Sequence, residues 1–164
     1  MSTIPADLEP SVRKSIRVRT SAERAFRVYT EQMDSWWPRT HHIGKAPMQR
    51  VVLEGKVGGR CYSTHTDGTD CPWGTVLEWE PPRYFVMAWQ ITPAWKYEPD
   101  LTKCSEVEVR FTAEDGGYTR VDLEHRHFER VGEGWDTMRA AVAERGGWSG
   151  LLEMFRIQAE KEKE

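Results

Sequence analysis

The chain has 164 residues, 38% of them hydrophobic, with a mean hydropathy of −0.69 and a net charge of −3 from 23 basic and 26 acidic side chains. That length suits one domain with a sizeable core, and no apolar run reaches the roughly 20 residues that a bilayer span needs. The opposite charges are interspersed, so no basic block invites nucleic acid, and the three cysteines (Cys61, Cys71 and Cys104) lie at no metal or redox spacing.

Residues 1–10, with Pro5 and Pro10, read as a flexible tail, and residues 11–164 as a single domain. The tail lacks the basic start and apolar stretch of a secretory signal, which together with reduced thiols predicts a cytoplasmic protein. Residues 11–20 alternate Val12, Lys14, Ile16 and Val18 with Arg13, Ser15, Arg17 and Arg19, the pattern of a half-buried strand. Thr20 or Ser21 then caps a short helix over 22–32, whose apolar positions are Ala25, Phe26, Val28 and Tyr29. A second short helical turn follows over 33–38 and closes at Pro38. After a loop over 39–49 the chain becomes a β-meander, with strands expected over 50–54, 59–66, 75–80, 84–92, 105–113 and 118–128. Their connections carry turn residues: Lys56-Val-Gly-Gly59, Asp67-Gly68, Pro81-Pro82 and Asp115-Gly116-Gly117. A loop over 92–103 is the longest interruption. A short helix over 133–144, a break at Gly146-Gly147 and a terminal helix over 148–161 complete the chain, the last with Trp148, Leu151, Leu152 and Phe155 at helical spacing.

The strand pair at 105–128 is the most telling segment. Val107, Val109 and Phe111 face inward on the first strand; Val121 and Leu123 do so on the second, and the same parity continues into His125 and His127. An inner face that turns from aliphatic to imidazole suits the wall of a cavity with a polar end. Eight tryptophans, at positions 36, 37, 73, 79, 89, 95, 135 and 148, either fill the space between sheet and helix or line it. Seven antiparallel strands curl by their own twist, and an amphipathic helix laid on the concave face encloses such a space. The expected fold class is therefore α+β, a curved seven-stranded antiparallel sheet with two short helices and a long C-terminal helix over a cavity.

The element order, together with Trp36-Trp37-Pro38, Val57-Gly58-Gly59-Arg60, the run from Trp73-Gly74 to Pro82, Glu106-Val-Glu-Val-Arg-Phe111 and Gly146-Gly-Trp148 ahead of Leu151-Leu152, resembles the homologues of the activator of heat shock protein 90 ATPase. These are small bacterial members of the START-like, or SRPBCC, superfamily, and the likeness runs from about Val12 to Phe155. It implies a helix-grip fold and binding of a small apolar or aromatic molecule between sheet and helix. A chaperone is the alternative partner implied by the family name, although the N-terminal chaperone-binding domain of the eukaryotic co-chaperones has no counterpart here.

Within that frame Trp37, Trp79, Trp89, His125, Trp148, Leu152 and Phe155 are the candidate ligand-binding residues. Trp79 and Trp89 are chosen because they share strand parity with Leu77 and with Phe85 and Met87. Arg60 and Glu54 are candidate polar anchors, on the expectation that Arg60, Tyr62 and Thr64 point inward. His125-x-His127 invites a metal, but no third ligand is visible and no HExxH helix is present, so neither metal nor cofactor is expected. No nucleophile elbow or phosphate loop occurs, and nothing identifies a catalytic step. An enzyme of cyclase or hydrolase type would need His125 with Glu106 or Glu54 beside a cavity water.

Overall fold

The period-two segments become seven strands: β1 (Val12–Val18), β2 (Met48–Leu53), β3 (Arg60–His65), β4 (Asp70–Glu80), β5 (Tyr84–Trp89), β6 (Ser105–Glu114) and β7 (Tyr118–Arg126). The computed structural model describes residues 11–161, so the tail expected over 1–10 lies outside the described residues. Strands β2 to β7 run as a meander, and β1 pairs antiparallel with β7 to give the order β1-β7-β6-β5-β4-β3-β2. Twist curls this sheet into a half-barrel. Its concave face at β6 and β7 carries the alternating set read from the sequence: Val107 opposite His125, Val109 opposite Leu123 and Phe111 opposite Val121, all buried.

Helix α1 (Ala22–Thr30) starts where Ser21 Oγ accepts the Arg24 backbone N–H at 3.1 Å, and it buries Ala25, Phe26, Val28 and Tyr29. A single 3₁₀ turn, Met33–Ser35, then delivers Trp36 and Trp37 to the interior, and the Trp36 indole N–H donates to the Val28 carbonyl at 2.9 Å.

Two local features shift the expected boundaries. A bulge between Cys61 and Tyr62 sets Pro72 opposite Tyr62, where an imide without an N–H is tolerated, so β4 begins at Asp70 rather than at 75. On β3 the buried residues are Cys61, Ser63 and His65; Arg60 is exposed and Tyr62 and Thr64 are half-exposed, the reverse of the expected parity.

The helical cover on the concave side is split. Helix α2 (Trp135–Ala143) and helix α3 (Gly150–Ala159) flank an irregular turn, Arg145–Ser149. The terminal helix is thus ten residues long, shorter than the span over 148–161 read from the sequence. The cause is Gly147, whose backbone is non-helical (φ −94°, ψ −131°) and whose position would drive any Cβ into the Val142 carbonyl. Only glycine allows the chain to turn that closely against α2. Helix α3 then packs on α1 and β1 through Leu151, Leu152, Phe155 and Ala159.

Candidate functional site

Five tryptophans converge at the end of the half-barrel beneath the turn between α2 and α3. Strand β4 supplies Trp73, β5 supplies Trp89, the segment after the 3₁₀ turn supplies Trp37, the turn between α2 and α3 supplies Trp148, and the loop after β5 supplies Trp95. Trp37 and Trp73 stack at 5.3 Å, Trp73 and Trp89 meet edge to face at 5.4 Å, and Trp89 meets Trp148 at 5.3 Å. These rings wall a cavity of about 400 Å³, partly open to solvent. The space exists because Ala141 and Gly146 line the helical side where larger residues would reach into it.

Hydrogen bonds fix the rim. The Trp37 indole N–H donates to the His41 carbonyl at 2.8 Å. His41 Nε2 lies 3.0 Å from the Gly146 carbonyl, which can only accept, so Nε2 carries the proton. The loop over 39–47 is thereby tied to the turn between α2 and α3. His42 and Ile43 continue the wall, and the buried Nδ1 of His42 has no hydrogen-bond partner. The buried Trp89 Nε1 likewise has none.

Behind the wall lie two buried serine–histidine pairs of opposite polarity. His125 is fully buried and accepts the Trp148 indole N–H on Nδ1 at 3.0 Å, so its Nε2 bears the proton and donates to Ser105 Oγ at 2.8 Å. Burial pushes its pKa down to about 3. The imidazole is therefore a neutral acceptor that aims the Trp148 ring. His65 has its Nδ1 2.9 Å from the Ala46 carbonyl, which places the proton there and leaves Nε2 to accept from Ser63 Oγ at 2.7 Å. That pair anchors β3 to the loop carrying His42, whose ring meets His65 edge to face at 5.1 Å.

The structure thus brings Trp37, Trp89 and Trp148 together on the cavity wall and sets the other sequence candidates elsewhere. His125 stands behind Trp148. Trp79 packs on Phe26 at 5.0 Å, and Phe155 on Tyr29 at 5.2 Å, in an aromatic cluster away from the cavity. Leu152 is buried beside it, while its neighbour Leu151 faces the cavity. Arg60 does not reach the cavity: its guanidinium lies 4.4 Å over the Tyr62 ring, and Glu54 accepts the Arg60 backbone N–H at 2.8 Å. The pairing of His125 with Glu106 or Glu54 also fails, since His125 faces Ser105 and Trp148, and Glu106 binds Arg126 and Arg130. His127 leaves the strand in a left-handed conformation (φ 64°) and sits 3.9 Å from Glu129, so it shares no face with His125. Among the described residues no three His, Cys, Asp or Glu side chains group as metal ligands. Sequence reasoning missed Trp73, Trp95, His42 and Leu151 as wall residues. The usable signal was Gly146-Gly147, since glycines facing tryptophans mark a hollow.

A curled antiparallel sheet with helices over a cavity defines the helix-grip class of START-like proteins. Residues 19–158 match the family model described as Activator of Hsp90 ATPase homolog 1-like protein, and the chain belongs to that family. A structure described as an anthrahydroquino-γ-pyrone synthase, Txn09, complexed with SUM is 37% identical, with 94% of this chain and 99% of that chain covered and a TM-score of 0.65. CalC from Micromonospora echinospora, described as a self-sacrificing resistance protein, is 29% identical over 92% of this chain and 94% of its own, with a TM-score of 0.64. Protein NE0264 from Nitrosomonas europaea has a TM-score of 0.68 at 16% identity, covering 99% of this chain and all of its own, which speaks to the fold alone. No curated protein matches the chain. No helix among the described residues is long and apolar enough to cross a membrane.

Proposed function

We propose that this protein binds a planar, multi-ring aromatic molecule in the cavity between the half-barrel and the turn joining α2 to α3. The observation that carries the reading is the wall itself: a space of about 400 Å³ bounded by five tryptophans. That volume falls within the range of roughly 300–1,000 Å³ typical of small-molecule sites. Indole faces favour flat π-systems through offset and edge-to-face contacts. The 37% identical relative, an anthrahydroquino-γ-pyrone synthase, is named for a fused aromatic compound, which supports the same ligand class here. At the rim the Glu144 carboxylate and Thr40 Oγ1, whose proton goes to His41 Nδ1, can accept hydrogen bonds from hydroxyl groups on the outer edge of such a ligand.

The test is titration with 1,8-dihydroxyanthraquinone, followed by intrinsic tryptophan fluorescence. Binding at about micromolar strength with quenching is expected. Unmoved fluorescence and an unchanged melting temperature up to the probe's solubility would defeat the reading.

A second reading, turnover of the bound molecule, is favoured by His42. His42 lines the cavity and its buried Nδ1 has no partner, so a turn of the ring toward a bound phenol or enol would let that nitrogen take the proton. His42→Ala should then keep probe binding and abolish turnover of a polyketide substrate. Equal turnover in both proteins excludes His42 as the base.

A further inference from the structure

Four of the five tryptophans on the cavity wall, Trp37, Trp73, Trp89 and Trp148, are buried and in ring contact with one another. Trp95 differs from them in three respects. It is 46% exposed at the mouth. Its ring contacts no other aromatic ring among the described residues. Its backbone is left-handed, with φ 60°, a conformation that bulky L-residues rarely adopt and glycine adopts freely.

The conformation is held by a tight local network. The Trp95 N–H donates to the Thr92 carbonyl at 2.8 Å, Thr92 Oγ1 accepts from the N–H groups of Ala94 and Lys96 at 3.2 Å each, and Ile91 bridges Tyr97 beneath. The hairpin also rests on the start of α2, where a Cβ on Gly134 would meet Pro93 at 3.0 Å. Local geometry therefore favours glycine at position 95, and no aromatic packing calls for an indole there. A residue held against its own backbone preference at the mouth of a cavity points to use by a ligand.

We propose that Trp95 is the outer wall of the ligand site, an indole that covers the exposed face of a planar aromatic ring system seated against Trp89 and Trp148. This rests on the reading of the cavity as an aromatic-ligand site and adds a selectivity. A flat π-face on Trp95 rewards a fused aromatic ligand and gives little to a flexible aliphatic chain of the same volume, because only the former stacks. It also assigns a stability cost to function, since Trp95 strains the loop in the free protein.

The experiment compares wild type, Trp95→Gly and Trp95→Phe for dissociation of 1,8-dihydroxyanthraquinone and of dodecanoate, with a melting temperature for each protein. Trp95→Gly should bind the anthraquinone about tenfold more weakly, the size of one lost stacking contact, mainly through faster release. Its dodecanoate affinity should change by less than about threefold, since no stacking is lost. Its melting temperature should equal or exceed that of wild type, because glycine accepts the left-handed backbone. Trp95→Phe should keep most of the anthraquinone affinity. Wild-type anthraquinone affinity in Trp95→Gly overturns the proposal and leaves the cavity reading standing. A melting temperature several degrees lower in Trp95→Gly assigns the ring a structural role and also overturns it. Failure of the wild type to bind either probe removes the cavity reading itself, and Trp95 with it.

Discussion

The two ends of the half-barrel use the same kind of residue for opposite purposes. At the α1 end, Phe26, Tyr29, Trp36, Trp79, Phe85, Phe111 and Phe155 pack with ring centroids between 4.9 and 6.0 Å, and none of them lines the cavity. At the other end, Trp37, Trp73, Trp89 and Trp148 stand at similar spacings and enclose a cavity. Trp36 and Trp37, 5.6 Å apart, join the two. What differs is the opposite wall. Helices α1 and α3 send large rings into the first cluster, whereas the turn at Gly146-Gly147 faces the second with backbone. An aromatic residue becomes core or wall according to what lies across from it.

The largest effect should come from breaking the filled end. Phe155 is fully buried between Tyr29 and Trp36. Phe155→Ala should cost about 3–5 kcal/mol in chemical denaturation, because its neighbours cannot collapse into the void. At saturating denaturant-free conditions the variant should still quench with an aromatic probe, since its ring is not on the cavity wall.

Acid should act next, and through the hollow end. His125 is neutral in the native state, its pKa pushed down to about 3 by burial. Once unfolded it binds a proton below about pH 6.5. Between those values the unfolded state holds one proton more than the native state, so stability rises with pH and is lost as pH falls. The slope approaches about 1.4 kcal/mol per pH unit well below pH 6.5, so that about 2 kcal/mol is lost between pH 6.5 and 4.5. The carboxylates of Asp67, Asp100, Glu108 and Glu153, whose pKa values are lowered by their hydrogen bonds and ion pairs, add their own loss at lower pH. His125→Gln should flatten the upper window and leave the lower one, as read by denaturation at half-unit steps of pH.

Two adjacent leucines divide the ends most sharply. Leu152 lies in packed core, so Leu152→Trp should overpack it and cost about 1–3 kcal/mol with the cavity intact. Leu151 faces the cavity, so Leu151→Trp has room and should cost less than about 1 kcal/mol. Binding should reverse that order, with the probe lost from Leu151→Trp and kept by Leu152→Trp. The opposite pattern would place the ligand site at the wrong end.

The fold was legible because alternation exposes strands and because Gly-Gly and Asp-Gly turns mark where they reverse. Val107, Val109, Phe111, Val121 and Leu123 all took the faces that their parity dictates. Parity failed on β3, where it rested on the assumption that Arg60 turns inward; Cys61, Ser63 and His65 are the apolar-facing set, and nothing in so mixed a segment distinguishes its two faces. The site was legible only in part. Trp37, Trp89 and Trp148 could be chosen as large aromatics near the concave face, but which tryptophans line space depends on residues contributed from across the chain. Leu152 lies in the first turn of α3 but points about 100° away from its neighbour Leu151, and Phe155 lies a turn further along, so neither faces the cavity.

The smallest effect tests how the wall is held. Trp148→Phe keeps an aromatic ring on the wall, removes the N–H that His125 Nδ1 accepts and shortens the ring toward the existing cavity. The lost hydrogen bond alone should cost about 1 kcal/mol. The pH dependence carries more information than that figure. In the wild type a proton on Nδ1 would meet the indole N–H head on; in Trp148→Phe that obstacle is gone, while burial remains. The folded-state pKa of His125 should therefore rise from about 3 toward the ordinary imidazole value, without reaching it. A narrower acid window follows, with the native state taking up its proton at higher pH and the loss of stability levelling off sooner. If the window keeps its full width, burial alone sets the charge state of His125, and the indole is aimed by ring packing rather than by the imidazole.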